Sequence, residues 1–319
     1  MRRSIIFFAG ATLAVASFCA FGAQPCRYSA PRNAEIDAAG LKSLSVEIGP
    51  DTLAIQGQPG LAKIVVRGTA CASDEKWLQN INVETARHGG TASVVARDGD
   101  HGITFSLFGG SYAYLKLDVR VPPSLAVKLR EGSGDADASK LAALDAGLGS
   151  GDLKVHGIAG EFALSVGSGD VVASDVGSLA LSSVGSGDVS VDGVNGDAHA
   201  GSVGSGDLGL RNVKGNVSIG SVSSGDVKLA EVGGRVAVGS VGSGDLGIRS
   251  AKGDVTVKGV ASGDVNIVQA GGNVRIDSVG SGDVGANGVG GDFSVGAMGS
   301  GDIHHHGVKG KISIPRTDD

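Results

Sequence analysis

Between Asp188 and the next Ser-Gly-Asp triplet, small apolar side chains fall at Val189, Val191 and Val194, and again at Ala198, Ala200 and Val203. The following unit repeats the pattern at Leu208, Leu210, Val213, Val217, Ile219 and Val222. Alternation of period two puts both apolar residues of each V-x-V on one strand face. Each unit therefore reads as two similar halves: a short strand, a turn and one more inward residue. Ser-Gly-Asp recurs ten times, with aspartates at Asp135, Asp152, Asp170, Asp188, Asp207, Asp226, Asp245, Asp264, Asp283 and Asp302, at intervals of 17, 18, 18 and then 19 residues. A period near 20 marks a unit that cannot bury its apolar face alone and must stack on its copies. The pattern predicts an all-β chain ending in a parallel β-solenoid (β-helix) of about ten 18–19-residue coils. Its small inward residues imply a thin, flattened section, and ~4.8 Å per coil gives a stack roughly 48 Å long. The shorter intervals before Asp152, Asp170 and Asp188 are expected to be absorbed at turns.

Residues 23–130 are less regular but also β-rich, and are expected to cap the solenoid of residues 131–319. Leu44–Ile48 and Leu115–Val121 alternate cleanly, Lys63–Arg67 reads as a short buried strand, and Pro122-Pro123 ends the last run. Asp98-Gly99 and Gly109-Gly110 supply turn residues. Ser73-Asp-Glu-Lys resembles a capped first turn and predicts one short helix over 73–80.

Residues 1–22 change the picture of where the chain works. Arg2 and Arg3, an apolar run over Ile5–Phe18, and Ala20-Phe21-Gly22 read as a cleaved secretory signal peptide. The apolar run is shorter than the ~20 residues a spanning helix needs, and no transmembrane segment is expected after cleavage. Removing Arg2 and Arg3 takes the formal charge from −6 to −8, and no basic stripe is available to neutralise phosphates, which argues against nucleic acid. Cys19 leaves with the signal. Cys26 and Cys71 are then the pair remaining in an exported chain, and a disulfide between them is expected.

The Asp column is the candidate for special chemistry. One reading is structural: glycine permits a tight corner, aspartate accepts backbone N–H groups as in an Asx turn, and the serine hydroxyls donate to the next coil's aspartate. The other is a calcium-binding repeat module, since stacked Gly-rich turns with regular Asp can bind that ion. The spacing differs from G-G-x-G-x-D, and the matching second-turn positions Glu161, Asp197, Asn216, Arg235, Asp254, Asn273, Asp292 and Lys311 include cations. His304-His305-His306 in the last coil point alternately to opposite faces, so at most two of them reach one ion; a polar end-cap is the other reading. No catalytic residue, resident metal or cofactor is expected. A β-helix polysaccharide lyase or hydrolase would need paired carboxylates or a Lys/Arg base in one cleft, whereas the carboxylates here are spread one per coil.

The Gly-Ser-Gly-Asp-Val-x-Val repeats, led in by Val-Arg-Val-Pro-Pro-Ser-Leu-Ala-Val-Lys-Leu at 119–129, resemble the bacterial DUF4097 family of β-strand repeat proteins, grouped with GIN-domain adhesins. The resemblance runs from about residue 40 to 315. It implies an extracytoplasmic parallel β-helix and carries no catalytic residues over. The expectation is a non-enzymatic, adhesin-like scaffold, exported to the periplasm, the cell surface or the medium, with an unidentified protein or glycan partner in the envelope or at the surface.

Overall fold

A computed structural model describes residues 26–98 and 112–315. The signal-like residues 1–22, Gly99, Gly109-Gly110 and the tail 316–319 lie outside the described residues. Ten strands lead into the repeats: β1 (Tyr28–Pro31), β2 (Ala34–Asp37), β3 (Ser43–Ile48), β4 (Thr52–Gly57), β5 (Lys63–Ala72), β6 (Ile81–His88), β7 (Thr91–Asp98), β8 (Ala113–Val121), β9 (Ala126–Glu131) and β10 (Asp135–Leu141). From β10 to Ser313 the chain winds as a parallel solenoid. Every coil places one strand segment on each of two facing sides, the two segments being one continuous strand in the coils after Asp152 (Leu153–Val166) and Asp170 (Val171–Val184), and each segment pairs with its copies above and below, as in Val189↔Leu208↔Val227 and Ala198↔Val217↔Val236.

The inward columns are those of the apolar pattern. In the coil after Asp188, Val189, Val191, Val194, Ala198, Ala200 and Val203 are each no more than 2% exposed. Phe162 and Phe293 are the two large rings in this interior, and both are fully buried. A thin interior follows from small side chains, because facing sheets approach until their inner side chains interdigitate at crystal-like density.

Parallel stacking begins before the first Ser-Gly-Asp. Strands β3 and β4 form a layer beneath β9 and β10 (Leu44↔Val127, Leu53↔Ala136), and β7 and β8 form a further layer beneath β3 and β4 (Leu44↔Ala92, Leu53↔Leu117). The layers are thus not laid down in chain order: the β3–β4 layer is sandwiched between two that follow it in sequence. Antiparallel strands then cover this end. β5 runs beside β8, with β1 and β2 on its other edge, and β6 runs beside β7. The disulfide joins Cys26, just ahead of β1, to Cys71 of β5, with Cα atoms 5.3 Å apart, inside the range a disulfide spans.

The short helix is a 3-10 turn, Glu75–Asn80, and its N-cap is Asp74, whose side chain accepts from the Lys76 N–H. Ser73 instead meets Tyr112 across the chain, by both its backbone N–H and its hydroxyl. The coil contractions divide between two places. One falls at the second corner, where the register passes from Ile158↔Val176 to Glu161↔Ser178. The other falls within a strand, between Leu164↔Leu181 and Ser165↔Ser183, where the shorter coil omits a bulge residue. A strand interior absorbs a missing residue because the bulged residue lies outside the ladder.

Candidate functional site

The two corners of each coil carry the repeated chemistry. At the first, the backbone sets the problem. Leu246 N–H donates to the Asp264 carbonyl of the next coil, while the Asp245 carbonyl accepts from Val227 of the coil before. The Asp264 N–H is left without a carbonyl beneath it, and Asp245 Oδ1 takes it at 2.9 Å. The same bond forms at all nine steps from Asp135 to Asp302, at 2.8–3.4 Å. The acceptor side chain therefore bonds between coils, not two residues onward within its own turn. The ten serine hydroxyls point to solvent and make no bond to the aspartates.

The glycine of the triplet serves a different need from the left-handed corner expected of it. These glycines have no positive φ; they face inward and touch the backbone of the coil below. A Cβ on Gly244 would overlap the carbonyl oxygen of Gly225, and the same holds at every copy. The left-handed residue lies five positions after each aspartate instead. Lys140, Gly157, Asp175, Gly193, Asn212, Glu231, Ser250, Gln269, Gly288 and Gly307 all have φ between 55° and 86°, forming a column of bulges that returns the next apolar residue to the interior. Only Gly, Asn and Asp there hint at the conformation in sequence; the other four of the ten residues, Lys140, Glu231, Ser250 and Gln269, carry side chains that disfavour it.

At the second corner an equivalent ladder runs through Asp197, Asn216, Arg235, Asp254, Asn273, Asp292 and Lys311. Asn216, Arg235, Asn273, Asp292 and Lys311 each donate their backbone N–H to the Oδ1 beneath at 2.7–3.1 Å. The rung from Asp254 to Arg235 is missing, since a guanidinium has no acceptor to offer. A cation is thus tolerated where a ladder ends, as at Lys311, or where one rung is lost.

Among the described residues two carboxylates are buried. Asp51 takes the place of the triplet glycine in the β3–β4 layer, and its Oδ1 accepts the Leu115 N–H at 2.7 Å. Glu131 stands in an inward apolar column between Ile48 and Leu148, 5% exposed, with no hydrogen-bond partner for either oxygen. Burial first, and then the charges of Asp135 and Asp152, push its pKa up to about 8. A carboxyl with a raised pKa suits general-acid work only where substrate can reach it; Glu131 faces the packed interior. Sequence reading missed it because it ends a strand that otherwise alternates normally.

Among the described residues, no group of three or more His, Cys, Asp or Glu side chains is arranged to hold a metal ion, and no helix is long and apolar enough to cross a membrane. In the last coil the His305 ring lies 6.0 Å from that of Phe293, and His304, His305 and His306 are all exposed.

No curated protein matches the chain. Three solved structures match the chain at low identity and low TM-score. A candidate adhesin from Parabacteroides merdae is 12% identical, with 91% of this chain and 97% of that one covered and a TM-score of 0.38. A candidate lipid binding protein from Parabacteroides distasonis is 18% identical over 90% and 97%, at 0.37. A candidate cell adhesion protein from Clostridium sporogenes is 13% identical over 90% and 99%, at 0.30. The sequence model of the Toastrack family, DUF4097, matches residues 68–230, just over half of the chain, from β5 into the coil after Asp226. The strands, stacking and repeats of that span continue unchanged beyond it, and the chain belongs to the Toastrack DUF4097 family.

Proposed function

We propose that this protein is a non-enzymatic, adhesin-like scaffold that acts outside the cytoplasm and presents its long repetitive faces to a protein or glycan of the envelope or surface. The observation that carries this reading is the uninterrupted winding from Glu131 to His306: no loop leaves the coils to wall a cleft, and the corner aspartates and asparagines spend a side-chain oxygen on coil-to-coil bonds. Export is supported by the basic and apolar character of residues 1–22 and by the Cys26–Cys71 disulfide, which persists in oxidising compartments. In this reading residues 23–130 cap the stack, so that one open end cannot template further strands, and residues 131–319 supply the surface. The Asp column acts as a structural ladder.

Fractionation of cells expressing the tagged chain, with protease shaving of intact cells, tests the placement, and envelope pull-down tests the interaction. Recovery in the cytoplasm alone, or no envelope component retained above background, overturns the proposal. Thermal unfolding in millimolar calcium and in EDTA tests the structural ladder: a single site at 100 times its dissociation constant adds about 2.7 kcal/mol, so equal midpoints are expected and a large upward shift would make the column an ion site.

A further inference from the structure

Charge is distributed unevenly along the solenoid. Residues 131–206 hold two Lys/Arg against eleven Asp/Glu, whereas residues 207–258 hold seven against five. Within that cationic section, Arg211, Lys228 and Arg249 share the outer face of one sheet. Arg211 and Arg249 are in one column, two coils apart with Ala230 between them; Lys228 is in the neighbouring column, flanked above and below by Gly209 and Gly247. From the stacking distance, the two arginines are about 10 Å apart along the axis, with lysine midway and roughly 7 Å along the strand.

The small residues keep the floor low, and a hollow of about 550 Å³ opens over it, reaching from Ser190 to Val268 across five coils. All three cationic side chains are exposed. Lys228 makes a loose pair with Asp226 at 3.7 Å. Neither arginine has a hydrogen-bond or ion-pair partner among the described residues, and Asp192, the nearest acid in their column, is engaged by Asn212.

We propose that this hollow binds a carboxylate-bearing linear polysaccharide laid along the solenoid axis. The proposal deepens the scaffold reading and rests on it. Two unpaired guanidinium forks suit carboxylates bidentately, and their spacing along the axis matches a polymer that presents acidic groups at intervals rather than one compact anion. Ser190 and Asn266 add neutral hydrogen-bonding groups at the rim. The Asp column beside Lys228 repels a polyanion and so favours the arginine side of the face. A membrane surface fits less well, because none of the large apolar side chains exposed among the described residues, Val172, Ile312 and Ile314, lines the hollow.

Calorimetric titration of the mature chain with oligogalacturonate long enough to span five coils, beside a neutral malto-oligosaccharide of equal length, tests the assignment. Salt-sensitive binding of the uronate alone is expected. It should weaken about tenfold or more in Arg211→Gln/Arg249→Gln, where two charge-assisted pairs are lost, with the melting midpoint unchanged. A cap variant, Lys63→Gln/Arg97→Gln, should bind as the parent does. No uronate binding by the parent, equal binding by the arginine variant, or binding only to phosphatidylglycerol vesicles overturns the proposal. Envelope pull-down with both proteins separates the two readings: a partner retained equally by each, without uronate binding, removes this ligand and leaves the scaffold standing.

Discussion

The two corners of the solenoid solve one problem with different tolerance. Each must supply an acceptor for a backbone N–H that the parallel ladder leaves over. The first does so with aspartate at all nine steps, and its glycines are in backbone contact with the coil below. The second does so with Asp or Asn where it can, drops a rung at Arg235, and ends on Lys311. The difference lies in packing. At the first corner glycine and aspartate are both constrained by the neighbouring coil, while at the second the outward group is free to vary once one bond is given up.

The largest expected effect comes from the closest backbone approach. Gly244→Ala should destabilise the protein by roughly 3 kcal/mol or more, because the added methyl meets a carbonyl that cannot turn aside. At the second corner Gly253→Ala places its Cβ 2.8 Å from Gly234 O and 2.9 Å from Arg235 N, and should cost less, about 1–2 kcal/mol. Equal losses in urea melts of the two variants would erase the contrast between the corners.

Glu131 comes next, as the polar exception inside the first corner. Its folded pKa of about 8 lies above the usual carboxyl value of 4.5. The stability linked to this group is fully present below about pH 4.5, where it is protonated in both states. It declines as pH rises toward 8, because the unfolded carboxyl ionises first. Glu131→Leu should flatten that decline and gain about 2–3 kcal/mol at pH 8, as Ile48 and Leu148 already form an apolar column around it. Melting midpoints from pH 4 to 9 read this directly, and a parent midpoint that did not fall across that range would contradict the assignment.

Smaller effects separate the acceptor from the charge. Asp245→Ala removes the bond to the Asp264 N–H and should cost about 1–1.5 kcal/mol, whereas Asp245→Asn keeps an Oδ1 acceptor, relieves repulsion along the column and should be close to neutral. A large loss in the Asn variant would mean that the carboxylate itself, not its hydrogen bond, is required. The smallest change is a gain: Arg235→Asn supplies the missing acceptor for Asp254 and should add about 0.5–1 kcal/mol in denaturant titrations. No gain would show that water already satisfies that N–H.

Much of this architecture is written in local order. Alternation at Val189, Val191, Ala198 and Ala200, repeated in every coil, is enough to specify two strands per turn, a narrow core and parallel stacking, because each strand's inward face is a local property of period two. The Cys26–Cys71 pairing was equally accessible, from cysteine count and the signal-like composition of residues 1–22 alone. Other features arise only when distant segments meet. The sandwiching of β3–β4 between later layers depends on which strands find each other across long separations. The bonding partner of each Asp lies 17–19 residues away on the next coil, so a reading confined to one turn looks for it in the wrong place. The glycine requirement comes from a neighbour's carbonyl, the left-handed column from the need to bring an apolar residue back inward, and the perturbed Glu131 from the layer that closes over it. Period and pattern constrain a chain residue by residue, while these contacts exist only once the coils are stacked.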